Sequence, residues 1–398
     1  MRRHHQAFGL ATASLLLLMS SLASADEPPV APAEPGAMEA APVPRDVPLS
    51  TEAPAPAKDW YVLYAGVRPR LATFGGIGTF SLAQGRVHHF YGIGTFATVR
   101  QDAGVHVGIT ELSLGQANAE RFYGVAQLGL SKNLAGRFVG LTQLSIAHDD
   151  AESFAGVTQI ATYDRAGDFT GLAQIGGWGT VERDFVGALQ LGLVHDDADT
   201  FRGIAQLSLG HAASRDFGGA LQLAPYAHTD DYAGLVQLGV LSADDERFSG
   251  GLQLGLMNRV GTGGAFSHDS RDGSFAGAAQ IGALNWNDGT FTGLTQIGVL
   301  NAATDRFTGL AQIGLGSATS GAMWAPLQIG AAMAYAREFH GVAQIGTVSV
   351  AEHSDGAQLG VVNVSSDDQN GAQLGVFDYS GDIHGAQIGL VNVAEKVH

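Results

Sequence analysis

Apolar and polar positions along this chain recur with a period of about sixteen residues, in the pattern F-x-G-[LV]-[AT]-Q-[LI]-G. Regular copies are FYGVAQLG from Phe122, FTGLAQIG from Phe169, FTGLTQIG from Phe291 and FTGLAQIG from Phe307. Glutamines mark the register at Gln127, Gln143, Gln159, Gln174, Gln190, Gln206, Gln222, Gln237 and Gln253. After one 27-residue step they resume at Gln280, Gln296, Gln312, Gln328, Gln344, Gln358, Gln373 and Gln387. Counting back in sixteens from Gln127 reaches Glu111, Thr95 and Thr79, each in a degenerate copy, so about twenty units follow Phe74. A unit this short is one strand or one coil, and it must stack on its neighbours to bury anything.

Glycine at the third and eighth positions of the unit opposes a helix. Acidic and small-residue segments such as HDDADT, SADDER and NDGT separate the units as turns do. The chain is therefore predicted to be all-β, with residues 59–398 as one repeat domain. The long step predicts an extended loop over residues 259–270. The last three units shorten to GAQLGVVNV, GAQLGVFDY and GAQIGLVNV.

Charge placement bears on the architecture. In the fourteen units from Phe122 to Phe339, the first ten positions carry one formal charge, Arg202. A single-layer sheet facing water would alternate apolar and polar side chains, so both faces are covered or one meets lipid. The preferred arrangement is an antiparallel β-barrel with one strand per unit, long enough to cross a bilayer when tilted. Its phenylalanines face lipid, in two aromatic rings, and its glutamines face the lumen, because an amide in hydrocarbon is unpaired. The alternative is a parallel β-solenoid with one coil per unit, in which like residues stack at about 4.8 Å.

Residues 1–25 have the form of a signal peptide: Arg2 and Arg3, an apolar run over residues 10–22, and the small residues Ala23-Ser24-Ala25. Residues 26–58, rich in Pro, Ala and Glu, read as a disordered leader. The chain has no Cys, so an exported form is held by packing and hydrogen bonds alone. The net charge is −17, and removing Arg2 and Arg3 leaves −19. Such acidity argues against nucleic acid as a partner. The barrel reading makes membrane lipid a partner.

The chemistry is sparse. His148-Asp149-Asp150 and His195-Asp196-Asp197 occupy matching places in their units, and His211 follows His195 by one repeat. Imidazole with carboxylate suits Zn²⁺, but a solvated turn explains the same residues. A solenoid stacks His195 on His211, whereas a barrel sends them to opposite rims. The acidic turns Asp230-Asp231 and Asp244-Asp245-Glu246 could bind Ca²⁺, but the spacing lacks the glycine-and-aspartate nonapeptide of calcium β-rolls, and solubility explains them better. There is no nucleophile elbow, no carboxylate pair in a recognisable pocket and no cofactor motif, so the reading is neither an enzyme nor a cofactor protein. The glutamines remain the best functional candidates, as a channel lining or as a self-satisfying amide ladder.

The units GAQLGVVNV and GAQIGLVNVAEKVH resemble the tandem G-x-Q-[IL]-G-[LV]-V-N repeats of bacterial surface-repeat proteins, over about residues 122–398. The resemblance implies an exported cell-envelope protein and transfers no catalytic residue. Together these readings give a structural or pore-like outer-membrane barrel, or a surface-displayed or periplasmic solenoid acting as a binding or adhesion scaffold.

Overall fold

A computed structural model describes residues 59–60, 62–261 and 273–398. The signal-peptide and leader segments lie outside the described residues, as does most of the expected loop. Every strand pairing among the described residues is parallel, and each repeat pairs with the next at the same position. Phe122 sits beside Phe138, and Gln127 beside Gln143. The fold is a parallel β-solenoid of about twenty coils. The antiparallel barrel is overturned, and with it the two aromatic rings.

The reason lies in the bends. Phe122 and Gln127 are five residues apart, so one continuous strand would point them to opposite faces. The chain instead bends at Gly124-Val125 between the strands Gln116–Tyr123 and Ala126–Gly129. The bend resets the alternation, and both side chains point inward with no exposed surface. A second bend at Leu130-Ser131 leads into Lys132–Val139. There the inward alternation Asn133, Ala135 is interrupted at the exposed Gly136-Arg137, after which Phe138 turns in. Each coil therefore has three sides. The bends are also hydrogen-bonded from coil to coil, as in Val125 N–H to Ile109 carbonyl at 2.8 Å and Leu141 to Val125 at 2.8 Å.

Glycine at the first bend is favoured by close approach in most units, although Ala325 takes the place in one of them. A Cβ on Gly140 would lie 2.8 Å from the Gly124 carbonyl oxygen and 2.9 Å from the Phe138 ring. The short final units lack the phenylalanine and turn here on Gly356 and Gly371, with φ of 139° and 137°, where glycine is favoured.

The phenylalanines form the apolar core. Neighbouring rings from Phe122 to Phe169 stack 4.9–5.0 Å apart and within 2° of parallel. Each buried ring contributes roughly 1.5–3 kcal/mol of hydrophobic stabilisation. His106 takes one place in this column, between Phe90 and Phe122. The 27-residue step does not disturb it: Phe248 stacks on Phe275 at 4.8 Å. Of the expected loop, Arg259 and Val260 belong to the strand Met257–Val260. Gly261 then turns away with φ of 103°.

Candidate functional site

The glutamines form an amide ladder inside the solenoid. From Gln143 to Gln387, each Nε2 donates to Oε1 of the glutamine one coil earlier, at 2.8–3.1 Å. Several reach a backbone carbonyl across the interior with the same amide, as Gln190 does to Asp197 at 3.1 Å and Gln206 to Ala213 at 3.0 Å. Gln127 donates to Glu111 at 3.0 Å, so the degenerate copies keep the register. Burial raises the Glu111 carboxyl well above the usual range. These amides satisfy one another in a filled interior, so they line no lumen.

A second inward column runs beside the ladder: Asn133, Asp149, Asp164, Gly179 and Asp196 on successive coils. None of its three carboxylates has exposed surface. Asn133 donates to Asp149 at 2.7 Å. Burial pushes Asp149 up to about 7, Asp164 to about 9 and Asp196 to about 8, with the Asp149 and Asp196 charges adding to the rise at Asp164. Sequence reading placed Asp149 and Asp196 in solvated turns. They are interior because strand alternation points them inward between His148 and Asp150, and between His195 and Asp197. Asp244, also read as a turn residue, is buried and accepts from Gln237 and Gln253 at 2.8 Å each.

The three histidine candidates separate into two places. His148 stacks on Tyr163 at 4.9 Å and is three coils, roughly 14 Å, from His195. His195 and His211 lie on adjacent coils with their Nδ1 atoms 2.9 Å apart, so one ring donates to the other. Burial and the neighbouring His195 and His228 lower His211 to about 4. This is the stacking that a solenoid requires.

The outer surface divides by chemistry. At the first bend, Leu141, Leu172, Ile204, Leu235, Leu294 and Leu310 stand 52–64% exposed. At the second bend, Leu130, Ile146, Leu193, Leu209 and Leu256 stand 54–72% exposed. Between these columns, from Phe122 to Phe339, the outward positions of the short strand are Ala, Thr, Val or Leu followed by Leu or Ile, as in Ala126 and Leu128. One side of the prism is thus apolar along its length. Many of the charges gather along the opposite corner, where they pair between coils: Arg215 with Asp199 at 2.8 Å, Arg247 with Asp231 at 2.7 Å and Arg337 with Glu352 at 3.2 Å. The Arg183 guanidinium holds the Asp168 carboxyl below the usual range.

This segregation explains the charge-free strands that favoured lipid in the sequence. In the unit from Phe122 three of the ten positions, Phe122, Gln127 and Gly129, are buried, and most of the rest lie along the exposed apolar side. About twenty coils at 4.8 Å and four residues at 3.3 Å give that side roughly 1,200 Å². Monomers rarely expose contiguous apolar patches beyond about 300–600 Å². The side is therefore the candidate site: a flat, uncharged interaction surface. No helix among the described residues is long and apolar enough to cross a membrane. No known protein family, curated protein or solved structure matches the chain.

Proposed function

We propose that this chain is an exported β-solenoid that acts as a binding or adhesion scaffold at the cell surface or in the periplasm. The observation that carries the reading is the apolar side, bounded by aliphatic columns at two bends and free of charge. The signal-peptide pattern of residues 1–25 and the resemblance of the final units to surface-repeat proteins support export. The occupant of the side is the same side of a second copy. Its area exceeds the roughly 800 Å² per partner of a standard interface. Its side-chain ridges repeat at the coil spacing, and a second copy carries that same repeat. Two such sides pack face to face about 10 Å apart with their ridges interdigitated, and the charged corners stay in water.

Sedimentation velocity of the purified, detergent-free protein tests this. The expected result is a dimer that becomes monomeric when Leu172, Ile204 and Leu235 are all changed to Asp, with an unchanged β circular-dichroism spectrum. A wild-type monomer overturns the pairing. A monomer that floats with neutral lipid vesicles assigns the side to lipid instead.

A further inference from the structure

We propose that Asp382, His384 and His398 form a binding site for a divalent transition-metal ion. Asp382 and His384 are two residues apart on the strand Phe377–Ile388, so they project from the same face. His398 lies beside His384 on the next coil: its backbone N–H donates to the Ile383 carbonyl at 3.0 Å, and the two imidazoles stack 4.6 Å apart and 9° from parallel. One ligand atom from each of the three side chains lies within 4.8 Å of the other two.

The carboxylate is set up for a cation. Asp382 Oδ1 is buried and has no hydrogen-bond partner. It sits 3.3 Å from His398 Nε2, outside hydrogen-bonding geometry. The nearby Lys396 Nζ is 3.9 Å from the other oxygen, Oδ2, which leaves Oδ1 facing the imidazoles. Elsewhere on this surface a comparable pair closes on itself, with His340 Nδ1 at 2.7 Å from Asp355. Two imidazole nitrogens and one carboxylate oxygen suit Zn²⁺, Ni²⁺ or Cu²⁺ rather than Ca²⁺ or Mg²⁺. Both histidines are exposed, so an ion reaches their ring nitrogens from solvent, and water completes its coordination. Bound metal ties two adjacent coils together from outside.

The test is equilibrium dialysis of the full chain against Zn²⁺ at neutral pH, with Co²⁺ absorption as a second readout. One equivalent per chain is expected, together with cobalt d–d bands. Both are lost in His384→Ala and in Asp382→Asn, while the metal-free circular-dichroism spectrum is unchanged. The double variant His195→Ala, His211→Ala retains both. No zinc binding by the wild type overturns the proposal. So does binding that survives His384→Ala and disappears in the His195/His211 variant.

Discussion

Asp164→Asn should stabilise this protein at neutral and alkaline pH. Asp164 is fully buried, and its carboxyl is pushed up to about 9 by burial and by Asp149 and Asp196, against an ordinary value of 3.8. Between those values the unfolded chain has released a proton that the folded chain still holds. Stability is therefore fully present below 3.8 and is lost as pH rises through 9. At pH 7.5 the difference, at 1.36 kcal/mol per unit, is about 5 kcal/mol. Coupling to Asp149 and Asp196 shares part of that cost, so roughly 3–5 kcal/mol is expected for the single change. Asparagine has the same shape and no charge, and the same column already carries Asn258, Asn285 and Asn301, bonded in series at 2.8 Å. The assay is thermal and urea unfolding of wild type and Asp164→Asn from pH 4 to pH 9. The variant should gain at pH 7.5 and above, and the gap should close toward pH 4. A gap independent of pH would assign the effect to packing. A variant less stable than wild type at pH 8 would refute a neutral, buried Asp164.

His106 works in the opposite direction. Burial in the aromatic column lowers it from 6.5 to about 4, so its contribution is complete above 6.5 and is lost as pH falls to 4. That amounts to about 3 kcal/mol, and His106→Phe should remove this slope from the unfolding curve measured against wild type. Gln296→Leu interrupts the amide ladder: Gln280 loses one of its two donors and Gln312 loses its acceptor on the neighbouring coil. Gln280 Oε1 still accepts from Asn287 at 3.0 Å, so the orphan is the Gln312 N–H; at roughly 1–3 kcal/mol it should lower the urea midpoint, and unchanged stability would show the ladder to be dispensable. Arg247→Ala removes an exposed pair with Asp231. Solvent screens such a pair, so the chemical-denaturation midpoint should stay at the wild-type value, and a clear drop would mean that the corner ladder acts cooperatively.

The aromatic and glutamine columns were both legible as periodic positions, and both are interior. Their common direction was not legible. A strand alternates strictly, so Phe122 and Gln127 read as opposite faces until the bend at Gly124-Val125 is known. From that one ambiguity came the assignment of phenylalanine to lipid and glutamine to a lumen. The buried carboxylates were hidden for a related reason. HDDADT reads as a polar turn, yet Asp196 points inward while His195 and Asp197 point outward. The possible metal site was missed because its signal is a fourteen-residue step, His384 to His398, beside an i, i+2 Asp-His pair. The sixteen-residue step that links His195 to His211 does not connect His384 to His398.

What the sequence alone determined is the repeat: its length, its β character, the glutamine register with its degenerate continuation through Glu111, Thr95 and Thr79, and the tolerated insertion after Gln253. These follow from spacing and backbone preference, which are local. Tertiary structure decided whether neighbouring units run parallel or antiparallel, which residues face inward, and that the uncharged positions form one exposed apolar side. Strand direction depends on where the chain goes after each bend. A two-residue corner and a hairpin turn draw on the same small and polar residues, and they differ only in the path taken afterwards.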